Sequence, residues 1–159
     1  MPRFMTKLAI SLSLLGLVPV AVFVTASRAG ATPSNCGVVP VALVDAKLRI
    51  DAAHVTAHHP TSPRGALICS YFGNSGRAAN EATVNYVATS PTTFVAVEAL
   101  LAKTHSVHKI AGIGSGAYTY FVAPDRFLYV LDGTTQVQIF ATVSLVRLEA
   151  LARALPPLS

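Results

Sequence analysis

The sequence predicts an α+β domain of two layers, in which an antiparallel sheet of about four to five strands carries its helices on one face. Several short segments alternate apolar and polar side chains between turn residues, which is typical of strands joined by hairpins. Three other segments place apolar side chains at helical spacing. The expected order is helix, two strands, helix, three strands, helix (α-ββ-α-βββ-α), and strands joined by hairpins form antiparallel sheets.

The first half of the chain predicts one helix and two strands, over 38–48, 67–72 and 82–89. Pro40 is compatible with the first turn of that helix. Residues 50–55 fit either a strand or a frayed helix, whereas the prolines of 59–65 indicate a loop. The glycines of 73–76 favour the turn between the two strands, and residues 82–89 alternate in the manner of a half-buried strand.

The second half predicts a helix over 90–103, strands over 118–122, 127–131 and 136–141, and a helix over 144–155. Ser90 and Pro91 are typical of a helix N-cap and first position, and the glycines of 112–116 form a link. Asp132-Gly133 predicts a hairpin turn, and Pro156 ends the last helix. The expected inward positions are Phe94, Val97, Leu100 and Leu101 in the first of these helices and Leu145, Leu148, Leu151 and Ala152 in the second.

The N-terminus predicts a secretory signal peptide over 1–31. Arg3 and Lys7 precede seventeen uncharged residues, 8–24, and Ala29-Gly30-Ala31 forms an A-x-A cleavage site. The expected location of the mature domain, 32–159, is therefore secreted or in the extracytoplasmic cell envelope. The alternative is an uncleaved N-terminal membrane anchor, because seventeen apolar residues are at the lower limit for spanning a bilayer. Transient membrane contact is expected only through this segment.

Charge argues against a nucleic-acid partner. The chain has 12 basic and 7 acidic residues, but Arg3, Lys7 and Arg28 precede the predicted cleavage site, which leaves 9 against 7 and a net charge of +2. No part of the mature chain clusters five or six like charges. The basic balance therefore belongs mostly to the targeting segment, and we expect no nucleic-acid binding.

The two cysteines, Cys36 and Cys69, predict a structural disulfide. Exported proteins form disulfides, and the chain has no C-x-x-C redox motif. Closing a loop of this length is worth about 3.5–4 kcal/mol in the unfolded-chain entropy account.

The histidines form two pairs that are weak candidates for metal ligands. His54 and His58 are four positions apart, and His105 and His108 are three apart, so each pair could share one side of a helix. No H-E-x-x-H pattern is present, and surface histidines in loops explain the sequence equally well. The expectation is no metal and no cofactor.

Nucleotide-binding and hydrolase motifs are not supported. Residues 112–117 satisfy G-x-G-x-x-A, but a helix and a linker precede them and a strand follows, the reverse of a dinucleotide site. The chain has no G-x-S-x-G motif, so we expect no enzymatic activity.

Tyrosines on strands offer the best candidate for a ligand pocket between sheet and helices. They are Tyr71, Tyr86, Tyr118, Tyr120 and Tyr129. The alternative is that these rings only pack across strands and fill the core.

Four segments resemble small exported actinobacterial domains of uncharacterised function, some of which are lipoproteins. The segments are 36–40 (CGVVP), 69–71 (CSY), 112–118 (GIGSGAY) and 148–153 (LEALAR). More distantly, the order of elements resembles the extracellular sensor domain of PknH-type receptor kinases. This chain departs from the lipoproteins by lacking a lipobox, and from the sensors by lacking a kinase and a second disulfide. The resemblance implies an exported α+β domain and carries over no site residues.

These observations favour a non-enzymatic, exported binding or sensor-like domain of the cell envelope. The expected partner is a small molecule, a lipid or an envelope protein. Two alternatives stay open: a small secreted hydrolase or metal-dependent enzyme that uses the histidines, and a structural envelope protein held by an uncleaved N-terminus.

Overall fold

The structure is a computed structural model that describes residues 33–60, 66–74 and 80–157, which form one seven-stranded antiparallel sheet with three α-helices. The helices are α1 (Val41–Leu48), α2 (Pro91–Leu101) and α3 (Leu145–Ala152), and a short 3-10 turn (Cys36–Val38) precedes α1. The strands are β1 (Ala52–His58), β2 (Leu67–Gly73), β3 (Glu81–Ala88), β4 (His108–Lys109), β5 (Gly116–Val122), β6 (Asp125–Asp132) and β7 (Thr135–Ala141). The predicted signal peptide, 1–31, lies outside the described residues.

The predicted α+β class is confirmed, but the sheet has seven strands rather than four or five. Both additional strands lie at the edges of the sheet. β1 has five exposed side chains out of seven. Because it buries so few side chains, its sequence does not need the apolar alternation that identifies an inner strand. β4 has only two residues, which is too short for any periodicity to be read.

Two antiparallel meanders build the sheet, and one long-range pairing joins them. The strand order is β1-β2-β3-β7-β6-β5-β4, so β1–β3 form one meander and β4–β7 the other. Seven residue pairs between β3 and β7, from Ala82 with Ala141 to Ala88 with Thr135, join the two. The predicted hairpin at Asp132-Gly133 joins β6 to β7, and Gly133 supplies its positive φ of 58°.

Strand alternation assigns each side chain to one of two faces, which we call the first and the second face. The first face carries the main core beneath α1 and α3, which pack against each other. Its fully buried side chains include Leu48, Leu67, Tyr71, Val84, Leu128, Ile139, Leu148 and Leu151. The inward stripe predicted for α3 is therefore confirmed at Leu148, Leu151 and Ala152, whereas Leu145 is half-buried.

The prediction that all helices lie on one face is wrong, because α2 packs on the second face. Phe94 of α2 contacts Tyr118 and Leu131, whose positions alternate with those of the first-face core. The periodicity of a helix identifies its apolar side but not the face of the sheet that it meets. Leu100 is 63% exposed, so the predicted inward stripe of α2 holds only in part.

The beginning of the domain is fastened to β2 at two points. The predicted Cys36–Cys69 disulfide is present and joins the 3-10 turn to β2, with Cα atoms 5.6 Å apart. Two residues further along β2, the buried Tyr71 hydroxyl donates a hydrogen bond to the Val39 carbonyl oxygen at 2.8 Å. These contacts hold the segment before α1 over the first face.

The glycine-rich link before β5 packs closely against β6. Gly112 and Gly114 have φ values of 74° and 57°, which favour glycine. A Cβ atom on Gly114 would also collide with the Leu131 carbonyl oxygen. Glycine at this point therefore allows the loop to approach β6. Among the described residues, none of the helices has the length and apolar character needed to cross a bilayer.

We expect Cys36→Ala and Cys69→Ala to lower the melting temperature by roughly 10–15 °C, because loss of the cross-link increases the entropy of the unfolded chain. Non-reducing circular dichroism melts provide the measurement. The double variant is the control and should melt within a few degrees of the single variants, since both remove the same bond. Unchanged melting temperatures in the single variants would contradict a structural role for the disulfide.

Candidate functional site

The second face of the sheet is divided into a covered part and an open part. α2 covers β5, where the rings of Phe94 and Tyr118 lie 4.9 Å apart between centroids. On β2, β3 and β7, several second-face side chains are only half-buried, and they include Ile68, Ser70, Thr83, Asn85 and Gln138. We call this second region the open floor. The Asn85 amide donates a long hydrogen bond, 3.4 Å, to the Gln138 side-chain oxygen within it.

A stack of four rings runs across the second face, from the segment after α2 to β7. His105, Tyr120, Phe127 and Phe140 follow one another with centroid distances of 5.1, 4.8 and 5.5 Å. Tyr120, Phe127 and Phe140 lie on three neighbouring strands. Because neighbouring strands are about 4.8 Å apart, rings at adjacent positions can stack face to face. The stack forms a ridge of rings across β5, β6 and β7, and Phe140 at its end lies beside Thr83 of the open floor. Tyr129 joins the ridge through its hydroxyl, 3.3 Å from that of Tyr120.

A cavity of about 450 Å³ lies between α2 and the beginning of β5, and we call it the α2 cavity. Its apolar lining comes from Pro91, Phe94, Val95, Ile110, Ala117 and Leu131, and its other lining residues are Glu98, Lys109, Ser115 and Gly116. Glycine at 116 contributes to the space, because a Cβ atom there would lie 3.5 Å from the Phe94 ring. The Ser115 hydroxyl is already used, since it donates to the Leu131 carbonyl oxygen at 3.1 Å.

One ion pair lies in the wall of the α2 cavity. Lys109 Nζ of β4 is 3.3 Å from Glu98 Oε1 of α2. The Lys109 side chain is 79% exposed, whereas the Glu98 side chain is only 16% exposed. The contribution of so exposed a lysine to stability is small because water screens it. The pair nevertheless connects β4 to α2 and places a half-buried carboxylate beside an apolar cavity.

Two further cavities are smaller. One, of about 290 Å³, lies beneath the end of α3 against the glycine-rich link, with Val130 and Val137 in its lining and Pro156 and Pro157 also part of it. The other, of about 180 Å³, lies beside the Phe140 ring near Glu81 and Asp125. Neither contains a buried polar group without a partner. The α2 cavity is the larger space and is bounded entirely by residues within the described part of the chain.

The sheet separates the five tyrosines that sequence reasoning grouped as pocket residues. Tyr71 and Tyr86 lie in the core of the first face, whereas Tyr118, Tyr120 and Tyr129 lie on the second. None of the five lines the three cavities described above. Burial raises the pKa of the Tyr71, Tyr86 and Tyr118 hydroxyls well above the usual range. For Tyr129, burial is again the main cause of a raised pKa, and its hydrogen bond to Tyr120 adds to the effect.

The histidine pairs lie at opposite edges of the sheet. His54 and His58 belong to β1, and the His54 ring stacks on Phe72 at 5.3 Å. His105 stacks on Tyr120, and His108 belongs to β4. Residues 54–58 form a strand rather than a helix, so the helical spacing considered for that pair does not apply. Across residues 33–60, 66–74 and 80–157, no group of three or more potential metal ligands comes together.

One serine and one histidine form a pair that the sequence did not single out. Ser106 Oγ and His108 Nε2 are 3.2 Å apart on the exposed segment after α2. In the described part of the chain, no hydrogen bond joins His108 to a carboxylate. The pair therefore has the contact of a nucleophile and a base without the acid that usually orients the base.

Sequence reasoning also missed the residues of the α2 cavity. Glu98 and Lys109 come from consecutive elements, α2 and β4, but β4 has too few residues to be predicted. Gly116 offered the one local signal, because glycine within a strand often marks a point of close approach. Comparison with models of protein families, with curated proteins and with solved structures gives no match for this chain.

Two buried tyrosines should respond oppositely to loss of the hydroxyl. Tyr71→Phe removes the hydrogen bond to Val39 and should lower the free energy of unfolding by about 1 kcal/mol. Tyr86→Phe should raise it by up to about 1 kcal/mol, because the buried Tyr86 hydroxyl has no hydrogen-bond partner in the described part of the chain. Urea unfolding measures both free energies. Equal losses in the two variants would show that the Tyr86 hydroxyl has a stabilising partner.

Proposed function

We propose that this chain is a non-enzymatic, exported binding domain of the cell envelope and that the α2 cavity is its ligand site. The observation that carries the proposal is an apolar cavity of about 450 Å³ whose wall contains one half-buried carboxylate. Small-molecule sites are concave, mostly apolar, roughly 300–1,000 Å³ in volume, and contain few polar groups. The α2 cavity has each of these properties.

The lining indicates a small and largely apolar ligand. Phe94, Ile110 and Leu131 offer hydrocarbon surface on different sides, and burial of apolar ligand surface supplies the main driving force. Glu98 disfavours an anionic group in the inner part of the site. Lys109 lies at the solvent side, so any anionic group of the ligand belongs there. A lipid or another apolar envelope component fits this arrangement.

Two observations support the exported address. The Cys36–Cys69 disulfide is compatible with an extracytoplasmic location, because the cytosol keeps thiols reduced. The N-terminal pattern over 1–31 has the order of a secretory signal. The resemblance to small exported actinobacterial domains and to PknH-type sensor domains agrees with the same address.

We expect Val95→Trp to weaken binding of the apolar dye N-phenyl-1-naphthylamine about tenfold or more, because a bulky ring at the cavity wall reduces the space for the dye. The measurement is a fluorescence titration of the dye. Leu100→Trp is the matched control, since both residues are exposed on α2 but only Val95 lines the cavity. The protein has no tryptophan, so each variant also carries a single reporter.

Equal dye affinities in Val95→Trp and the wild type would place binding outside the α2 cavity. No increase in dye emission with the wild-type protein would contradict the proposed apolar site. Native mass spectrometry of protein isolated from its host without reduction then identifies the natural ligand, whose mass must be absent from the Val95→Trp sample and present in Leu100→Trp.

The Ser106–His108 contact favours a second candidate function, a small secreted hydrolase. A hydroxyl hydrogen-bonded to an imidazole is the minimal arrangement for activating a serine nucleophile. The pair is exposed and lies outside the α2 cavity lining, which separates it from the apolar ligand site.

A fluorophosphonate probe distinguishes the two functions. The binding domain should remain unlabelled, because His108 has no carboxylate to orient it among the described residues. Intact-mass spectrometry measures the adduct. A covalent adduct that disappears in Ser106→Ala and persists in Ser115→Ala would establish the hydrolase instead.

A further inference from the structure

The two edges of the sheet differ sharply in how well they can pair with another strand. The β4 edge has two residues, one of them Lys109, and Lys109 is joined to α2 by its ion pair. Short length and a lysine are features that prevent edge-to-edge association. The β1 edge has seven residues and contains no lysine, arginine, proline or acidic residue. Only the β4 edge therefore has these protective features.

β1 presents unused backbone hydrogen-bonding groups. Among the described residues, β1 pairs only with β2, so alternate N–H and C=O groups on its other side have no strand partner. Five of its seven side chains are exposed, including Ala53, Thr56 and Ala57. These side chains are small, and they leave room for a neighbouring backbone. The only irregularity is a register shift between Ala52 and His54, at the beginning of the strand.

We propose that β1 is a dimerisation edge, on which the β1 strand of a second copy of this chain pairs antiparallel. The β1 edge is complementary to a second copy of itself. A two-fold axis perpendicular to the sheet brings residues of the same face opposite each other, and β1 contains no lysine, arginine, aspartate or glutamate that this pairing would oppose. About Thr56, for example, Val55 meets Ala57 of the second copy on the first face.

The assembly closes at two copies. Because the β4 edge has only two residues, each chain has one edge of useful length, and head-to-tail extension into a filament has no second long edge to use. The bulge at the start of β1 further limits the paired length to the later residues of the strand. The product is a continuous fourteen-stranded sheet with two β4 edges at its ends.

The test compares the association of three forms of the mature chain by sedimentation equilibrium. The wild-type protein should dimerise with a dissociation constant of roughly 10–100 µM, because a strand-edge interface is at the small end of specific interfaces. Thr56→Lys should weaken dimerisation about tenfold or more, since it places two lysines close to the axis. Ala99→Lys, which adds the same charge to an exposed position on α2, should dimerise as the wild type does.

Hydrogen exchange on the wild-type protein gives an independent measurement. The β1 amides should exchange more slowly as protein concentration rises, whereas the amides of β4 should not change. This readout needs no variant and so decides the matter if Thr56→Lys fails to fold. A wild-type chain that stays monomeric to about 1 mM, or a dimer equally stable in Thr56→Lys, would overturn the proposal. So would concentration-independent protection of β1, which would indicate that another segment of the same chain covers it.

Discussion

The pairing of β3 with β7 is the constraint on which the rest of the molecule depends. Each meander forms from neighbouring segments, but β3 and β7 are separated by α2 and the whole second hairpin array. Their register decides which side chains share a face across all seven strands. A slip by one residue would exchange the faces of one meander relative to the other. It would bring Asn85 rather than Val84 opposite the core residue Ile139 and would break the continuous first-face core.

The two faces of the sheet have different roles because different helices cover them. On the first face, α1 from the first meander packs on α3 after the second, and Arg147 donates to the Leu48 carbonyl oxygen at 3.1 Å between them. The disulfide and Tyr71 fix the segment before α1 to β2. On the second face, α2 is the helix found among the described residues, and it packs on a small buried cluster of Phe94, Tyr118 and Leu131. Stability therefore resides mainly in the first face, which leaves the second free to hold a cavity and an open floor.

Sequence reasoning succeeded where the physical signal is local. The inner strands alternate, Ser90 accepts from the Thr93 amide as an N-cap, and Asp132-Gly133 forms its hairpin. It failed where a property depends on another element. Residues 50–55 fitted either a strand or a frayed helix, because an edge strand such as β1 needs little apolar surface. The sequence alone grouped Tyr71 with Tyr118, because their separation onto opposite faces is set by the β3–β7 register. The α2 cavity could not be predicted without the position of β4, a strand of only two residues.

The proposed ligand site and the proposed interface lie at opposite edges of the sheet. The ion pair between Glu98 and Lys109 lies in the wall of the α2 cavity beside the β4 edge, whereas the proposed interface is β1 at the other side of the sheet. In a dimer paired through β1 about an axis perpendicular to the sheet, both second faces point in the same direction. Two α2 cavities and two open floors would then face one surface. Binding to a repetitive envelope component would consequently gain from the effective concentration of the second site, without any new contact within either chain.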